Sequence, residues 1–430
     1  MLDKELQEEY IRILEEELVP AMGCTEPIAL AYAAAKGKEA LGVEPQNIVA
    51  RCSGNMIKNV RCVTIPNSGG LIGIEAACIL GAVAGDAHGK MEVLERVDDA
   101  GRVRARELLA KKICQVEFLD SEIPLHFILI LSAGGHSVEV EVRHSHTNIV
   151  SIKKDGEIVF SKPKKLARTG YVTDRSKLSI EAIRQFADEV DLELIRKLCE
   201  RQIRYNMDIA YEGISGNYGL GIGRVIRESY ADGVITRMKA YAAAASEARM
   251  GGCDMPVIIN SGSGNQGIAS SVPVIVYARE KDIPTEKLYR ALAFSSLLTI
   301  YQKEFIGKLS AFCGAVSASC ASAAAITYLA GGTTEQIKQT IDNTLANIPG
   351  ILCDGAKISC AAKIASSLDA AMMAHHLAMQ NKAYEAYTGI LKEDAGETIS
   401  CVGYIGKVGM HQTDKEIIKM MLEYQRENAV

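Results

Sequence analysis

The chain has 430 residues, 48% hydrophobic and 23% charged, with a formal charge of −5. That length allows two or three domains with substantial cores, and the slight acidity leaves no electrostatic footprint for nucleic acid or an anionic membrane. Trp is absent and there are only seven Phe against 37 Gly, so closely packed helices with small-residue faces are expected.

MLDKELQEEYIRILEEELVP, at the N-terminus, is acidic and amphipathic without an apolar core segment, and reads as a helix, not a secretion signal. In AMGCTEPIALAYAAAKGKEAL a turn predicts a helix start capped by Cys24 or Thr25. Pro27 falls in the first turn, where its missing N–H costs nothing. NIVARCSGNMIKNV reads as a strand entering a polar turn with Ser53, Asn55, Lys58 and Asn59. IPNSGGLIGIEAACILGAVAG is a Gly-rich turn before an apolar helix. From His126 onward Val and Ile alternate with polar residues, broken at Gly134-Gly135 and Asp155-Gly156, which is antiparallel hairpin chemistry.

SKPKKLARTGYVTDRSK, from Ser161 to Lys177, is basic and unpatterned, as a linker would be. Beyond it helical periodicity dominates, with Gly-rich interruptions at 213–223, 251–267, 331–332 and 349–355. The expected fold class is α+β. Residues 1–175 form an α+β domain with a mostly antiparallel sheet, and residues 176–430 an all-helical domain. The low-charge run LSAFCGAVSASCASAAAITYLAGG reads as a buried bundle helix, not a membrane span, and a cytoplasmic location is expected.

Several constellations bear on chemistry. INSGSGNQGI formally matches the dinucleotide fingerprint G-x-G-x-x-G, with Asp282 twenty positions after Gly262. The intervening IASSVPVIVYARE is too short for a crossover helix and a second strand, so the match is a decoy. What remains is either a tight interhelical turn or a nest of backbone N–H groups suited to a small carboxylate. RHSHTN puts His144 and His146 two apart on a strand-like stretch, hence on one face. With no third ligand nearby, solvated histidines are expected there, and adjacent His375 and His376 point different ways on a helix.

The chain has twelve cysteines. Length and the lack of a signal argue against a disulfide framework, so most are core and the remainder are catalytic or metal-bound. Cys313, Cys353 and Cys360 fall in Gly-containing segments. On one continuous helix, Cys353 and Cys360 would be about 10.5 Å apart. The Asp354-Gly355 turn shortens that span by leaving Cys353 in a loop and Cys360 in the first turns of a helix, an arrangement suited to a multi-iron cluster. Cys-x2-Cys zinc spacing is absent. By spacing alone, Cys320 and Cys401 are rival ligands.

Together AMGCTEPIALAYA, INSGSGNQGI, LSAFCGAVSASCASAAAITYLAGG and GILCDGAKISCAAKIASS resemble the L-cysteine desulfidase family, a relative of the iron–sulfur L-serine dehydratases, from about Ala21 to Gly406. The resemblance implies a [4Fe–4S] cluster held by Cys313, Cys353 and Cys360, with one iron open, and a catalytic base at Cys24. It implies substrate contacts at Thr25 and Glu26 and a carboxylate region around Ser261, Ser263, Gly264, Asn265 and Gln266. Ser53, Asn55, Lys58 and Asn59 are candidates for the opposite wall, and Cys401 for an approach to the open iron. The dehydratases have a longer second gap between cluster cysteines and a Ser-His-Thr block where this chain has Cys-Thr-Glu-Pro, which favours L-cysteine over L-serine.

The implied activity is β-elimination of L-cysteine to hydrogen sulfide, pyruvate and ammonium, with the site between the two domains. L-Serine dehydration is the first alternative and a non-catalytic iron–sulfur or thiol sensor the second. The helix start should lower the Cys24 pKa enough to make a thiolate base. A small amino acid is the expected partner, without nucleic acid or membrane, and a homodimer is compatible with the sequence.

Overall fold

The computed structural model describes residues 2–163, 173–307 and 309–428, so most of the expected linker lies outside the described residues. The first half is built on a six-stranded sheet of order β3-β2-β4-β5-β6-β7. Its strands are β2 (Asn47–Cys52), β3 (Cys114–Phe118), β4 (His126–Ala133), β5 (His136–Arg143), β6 (Ile149–Lys154) and β7 (Glu157–Ser161). Only the β2–β3 pair is parallel. Gly134-Gly135 and Asp155-Gly156 close the hairpins with both central residues at positive φ, as two-residue primed turns require.

Helix Thr25–Leu41 lies between this sheet and helix Ile74–Ala84 and is buried along most of its length. Small residues permit that double burial: a Cβ at Gly81 would come within 2.3 Å of the Ala31 carbonyl oxygen.

The second half is largely helical, as expected. Helix Gly314–Leu329, the low-charge run, is buried among helices Gly264–Glu280, Thr285–Ile306 and Cys360–Met379. No helix among the described residues is long and apolar enough to cross a membrane.

Four details differ from the sequence reading. First, the helical half is not entirely helical: β8 (Pro256–Ile258) pairs antiparallel with β1 (Pro20–Met22). Three-residue strands are too short to show a period. Second, helix Lys4–Glu17 packs on helices Leu192–Ser215 and Thr285–Ile306. Tyr10 donates to the Lys177 carbonyl at 2.7 Å, and Arg175 pairs with Glu17 at 2.6 Å. Third, the polar turn after β2 is a short helix, Gly54–Val60. Fourth, β5 ends at Arg143, and His144 has φ +67. His144 and His146 therefore sit in a turn and do not share a strand face.

Candidate active site

Helix Thr25–Leu41 begins where expected, with Cys24 as an extended N-cap whose thiol makes no capping bond. That thiol donates to Glu26 Oε2 at 3.0 Å and points towards the Asn59 carbonyl at 4.0 Å. Thr25 Oγ1 donates to the same Glu26 oxygen at 3.1 Å, and Asn59 Nδ2 to Oε1 at 3.3 Å. Buried His146 brings Nε2 to 3.9 Å from Glu26 Oε1, ion-pair rather than hydrogen-bond distance.

Burial opposes the charged form of Glu26, but His146 and the donating Cys24 thiol outweigh it and hold the carboxyl at about 2. The expected lowering of the Cys24 pKa does not hold. Burial and the Glu26 charge push this thiol well above the ordinary range, against a smaller opposing pull from Arg249.

The INSGSGNQGI segment is a tight turn from β8 into helix Gly264–Glu280. Asn260 and Ser263 bridge it, with Ser261 at φ +49 and Gly262 at φ +75. Ser263 Oγ caps the helix by accepting from the Gln266 N–H at 3.4 Å. Gly264 is dictated by its neighbour: a Cβ there would lie 2.2 Å from Arg249 Nε. Arg249 is 2% exposed and donates from Nη1 to Asn265 Oδ1 at 3.0 Å, while Nε has no partner. Gln266 Oε1 is also buried without a partner.

The clustered cysteines are brought together by two devices. A single antiparallel bridge joins Phe312 to Leu352. Around it the Cys313 N–H donates to Ile351 O at 2.8 Å and the Cys353 N–H to Ala311 O at 2.7 Å, which sets the two thiols side by side. The second device is the Asp354-Gly355 turn. Gly355 has φ +99 and passes so close to Lys58 that a Cβ would stand 2.3 Å from its carbonyl oxygen. Cys353 thus lies in a loop, and Cys360 is the first residue of helix Cys360–Met379, with Sγ 3.9 Å from the Gly355 carbonyl oxygen.

Cys313 donates to Cys353, which together with the Lys58 and Lys363 charges pulls the Cys353 pKa down against burial. The same contact and burial push Cys313 up. Burial raises Cys360.

Lys58 is fully buried and binds Asp414 Oδ1 at 2.5 Å, Ser310 O at 3.3 Å and Cys353 O at 3.4 Å. Asn55 donates to the other Asp414 oxygen at 2.7 Å. Helix His411–Asn428 is thereby tied to helix Gly54–Val60 and to the cysteine loop.

A cavity of about 100 Å³ is lined by Cys24, Thr25, Glu26 and Asn59 from the first half of the chain. Ser261, Ser263, Asn265, Gln266 and the three clustered cysteines line it from the second half, with Gly264 packed behind. His146, Arg249 and Lys303 complete the wall. Lys58 supports this wall from behind. Ser53 and Asn55 line a neighbouring cavity of about 880 Å³, which shares Ser261, Lys303, Leu309 and Ser310 with the smaller one. Cys320 and Cys401 line neither.

Helices beginning at Thr25, Gly264, Gly314 and Cys360 all start at the small cavity. Their N-termini bring partial positive charge and unpaired N–H groups to one place. Among the described residues no three His, Cys, Asp or Glu side chains are grouped as around a single metal ion. A cluster takes one thiolate per iron, so its ligands stand further apart than those of a lone ion. Three thiols beside helix starts and cationic side chains suit that donor set.

Sequence reasoning set His146 aside and passed over Arg249. The signal for Arg249 was present, since AYAAAASEARM carries a basic residue in a run of small ones that must be buried. Nothing in RHSHTN distinguishes the buried imidazole from His144.

A family model for the serine dehydratase alpha chain matches residues 89–419, a span containing His146, Arg249 and the three clustered cysteines but not Cys24 or Glu26. A UPF0597 protein of Lachnoclostridium phytofermentans is 48% identical, covering 97% of this chain and 100% of the relative. One of Treponema denticola is 46% identical over 98% and 99% of the two chains, and one of Desulfitobacterium hafniense 46% identical over 96% of each. With well over half its length matched, and relatives aligned nearly end to end, the chain belongs to the serine dehydratase alpha chain family of serine-dehydratase-like iron–sulfur lyases.

Proposed function

We propose that this chain is a [4Fe–4S]-dependent lyase that eliminates the β-substituent of L-cysteine, giving hydrogen sulfide, pyruvate and ammonium. The observation that carries this reading is the convergence of the Cys24–Glu26 block and three cysteines on one small cavity. The Cys-Thr-Glu-Pro block, where the serine dehydratases carry Ser-His-Thr, supports L-cysteine as substrate.

Cys313, Cys353 and Cys360 would hold the cluster. When bound, it supplies an open iron, a Lewis acid for the departing thiolate. The protein's own groups do the rest. Cys24, as thiolate, takes the Cα proton of the substrate while the Cβ–S bond breaks. The aminoacrylate released is hydrolysed by water to pyruvate and ammonium. Glu26, held ionised, accepts the hydrogen bond that the Cys24 thiol donates at rest. Lys58 and Lys363 fix the Cys353 loop through the carbonyls of Cys353 and Leu352. The larger cavity adjoins this one along Lys303 and Ser310.

The test is release of sulfide and pyruvate by anaerobically reconstituted protein offered L-cysteine or L-serine. Turnover of cysteine supports the proposal, and turnover of serine alone overturns the substrate. Cys24→Ala should keep its iron and lose activity; full activity in that variant would overturn the assigned base.

A further inference from the structure

Buried polar groups are almost always paired, and among the residues lining the small cavity three atoms are not: His146 Nε2, which stands 3.9 Å from Glu26 Oε1, Arg249 Nε and Gln266 Oε1. Arg249 Nε is a donor on a cation and Gln266 Oε1 an acceptor, so no single kind of group satisfies both. Arg249 has no carboxylate partner among the described residues; its one hydrogen bond is to the neutral Asn265 amide. The adjacent carboxylate, Glu247, is committed elsewhere, to the N–H groups of Leu220 at 2.6 Å and Ile222 at 2.7 Å. Arg249 lines the same small cavity as Cys24, the proposed base, and Cys360, a proposed cluster ligand. A buried cation without a counter-ion is costly, and a guanidinium suits bidentate pairing with a carboxylate.

The acceptors complement it. Glu26 is an ionised carboxylate in the same wall, and Gln266 Oε1 is a second acceptor, with its amide packed on Gly314. These groups enclose a space of about 100 Å³, within reach of a small zwitterion. We propose that Arg249 anchors the α-carboxylate of the substrate while Gln266 Oε1 and Glu26 receive its α-ammonium, so that the site selects zwitterionic α-amino acids. This rests on the lyase reading for the identity of the reaction but not for the binding itself.

L-Alanine separates the two, because it has no leaving group and its binding does not depend on elimination. Calorimetry on the anaerobic holoenzyme should show L-alanine binding roughly thirtyfold or more tightly than L-alanine methyl ester, the loss expected when a buried charged contact is left unpaired. Arg249→Gln should weaken L-alanine binding by a similar factor and leave the ester unchanged, with Arg249→Lys between. Ester binding equal to that of the free acid in the wild type, or L-alanine affinity in Arg249→Gln within about twofold of wild type, overturns the proposal. Should Arg249→Gln fail to fold, the acid-to-ester ratio of the wild type and the Arg249→Lys value still decide. Arg249-dependent binding without sulfide or pyruvate release would leave the anchor standing and refute the lyase reading. Sulfide release with an unchanged KM in Arg249→Gln would do the reverse.

Discussion

Replacing Gly355 with alanine tests the device that holds Cys353 and Cys360 together. Two costs arise. A φ of +99 is a conformation that L side chains rarely adopt, worth about 1–2 kcal/mol. The added Cβ would also sit 2.3 Å from the Lys58 carbonyl oxygen. Lys58 has little room to yield, since its side chain is buried against Asp414 at 2.5 Å, so overpacking adds about 1–3 kcal/mol. Gly42 is the control: it has φ +88 but nothing within 4 Å of a Cβ, so Gly42→Ala isolates the backbone strain. Gly355→Ala should therefore lose about 2–5 kcal/mol against about 1–2 kcal/mol for Gly42→Ala, read from denaturant unfolding. Iron bound per chain after anaerobic reconstitution should fall in Gly355→Ala only. Equal losses in the two variants, with full iron uptake in both, would refute the reasoning.

Lys58→Met should destabilise by about 3–5 kcal/mol, because it strands the buried Asp414 carboxylate. Adding Asp414→Leu should recover most of that loss in a denaturant titration of the double variant. Cys313→Ser and Cys353→Ser should each lower iron content after reconstitution, while Cys320→Ser, at a position lining neither cavity, should not. Glu26 has a folded pKa of about 2, below its ordinary value of 4.5. Its contribution is therefore present above pH 4.5 and lost as pH falls towards 2. Glu26→Gln should flatten the stability profile across that window, as followed by unfolding midpoints between pH 2 and 6.

Elements with local signals were legible in the sequence. Pro27 in a first turn, the Gly134-Gly135 and Asp155-Gly156 hairpins and the small-residue helix at Gly314–Leu329 all follow from chemistry within a few residues. The loop-then-helix setting of Cys353 and Cys360 was legible for the same reason. Long-range closures were not. The bridge beside Cys313 and Cys353 is one residue pair, Phe312 with Leu352, and no periodicity announces it. The pairing of β1 with β8 joins residues more than 230 positions apart, and Lys58 meets Asp414 across 356 positions. Cys24 is buried in a small apolar cluster with Val63 and Met250, residues distant in sequence, whereas the helix start that argued for lowering its pKa is local. The sequence reading weighed the local term because the burial term belongs to the tertiary fold.

The resting Cys24 is therefore a poor base, and what raises it suggests when it becomes a good one. Apart from burial, the largest contributor is the Glu26 charge, to which the thiol donates at 3.0 Å. Under the anchor proposal the substrate ammonium settles on that same carboxylate. It would offset the charge and compete for the oxygen that holds the thiol proton, while the Arg249 charge continues to favour thiolate. Deprotonation should then be easier with substrate bound than without. Because kcat/KM reports the free enzyme and kcat the bound complex, both should rise with pH, with the rise in kcat beginning at lower pH. Glu26→Gln removes the charge beforehand and should bring the two onsets together. Coincident onsets in the wild type would mean that substrate does not reach Glu26.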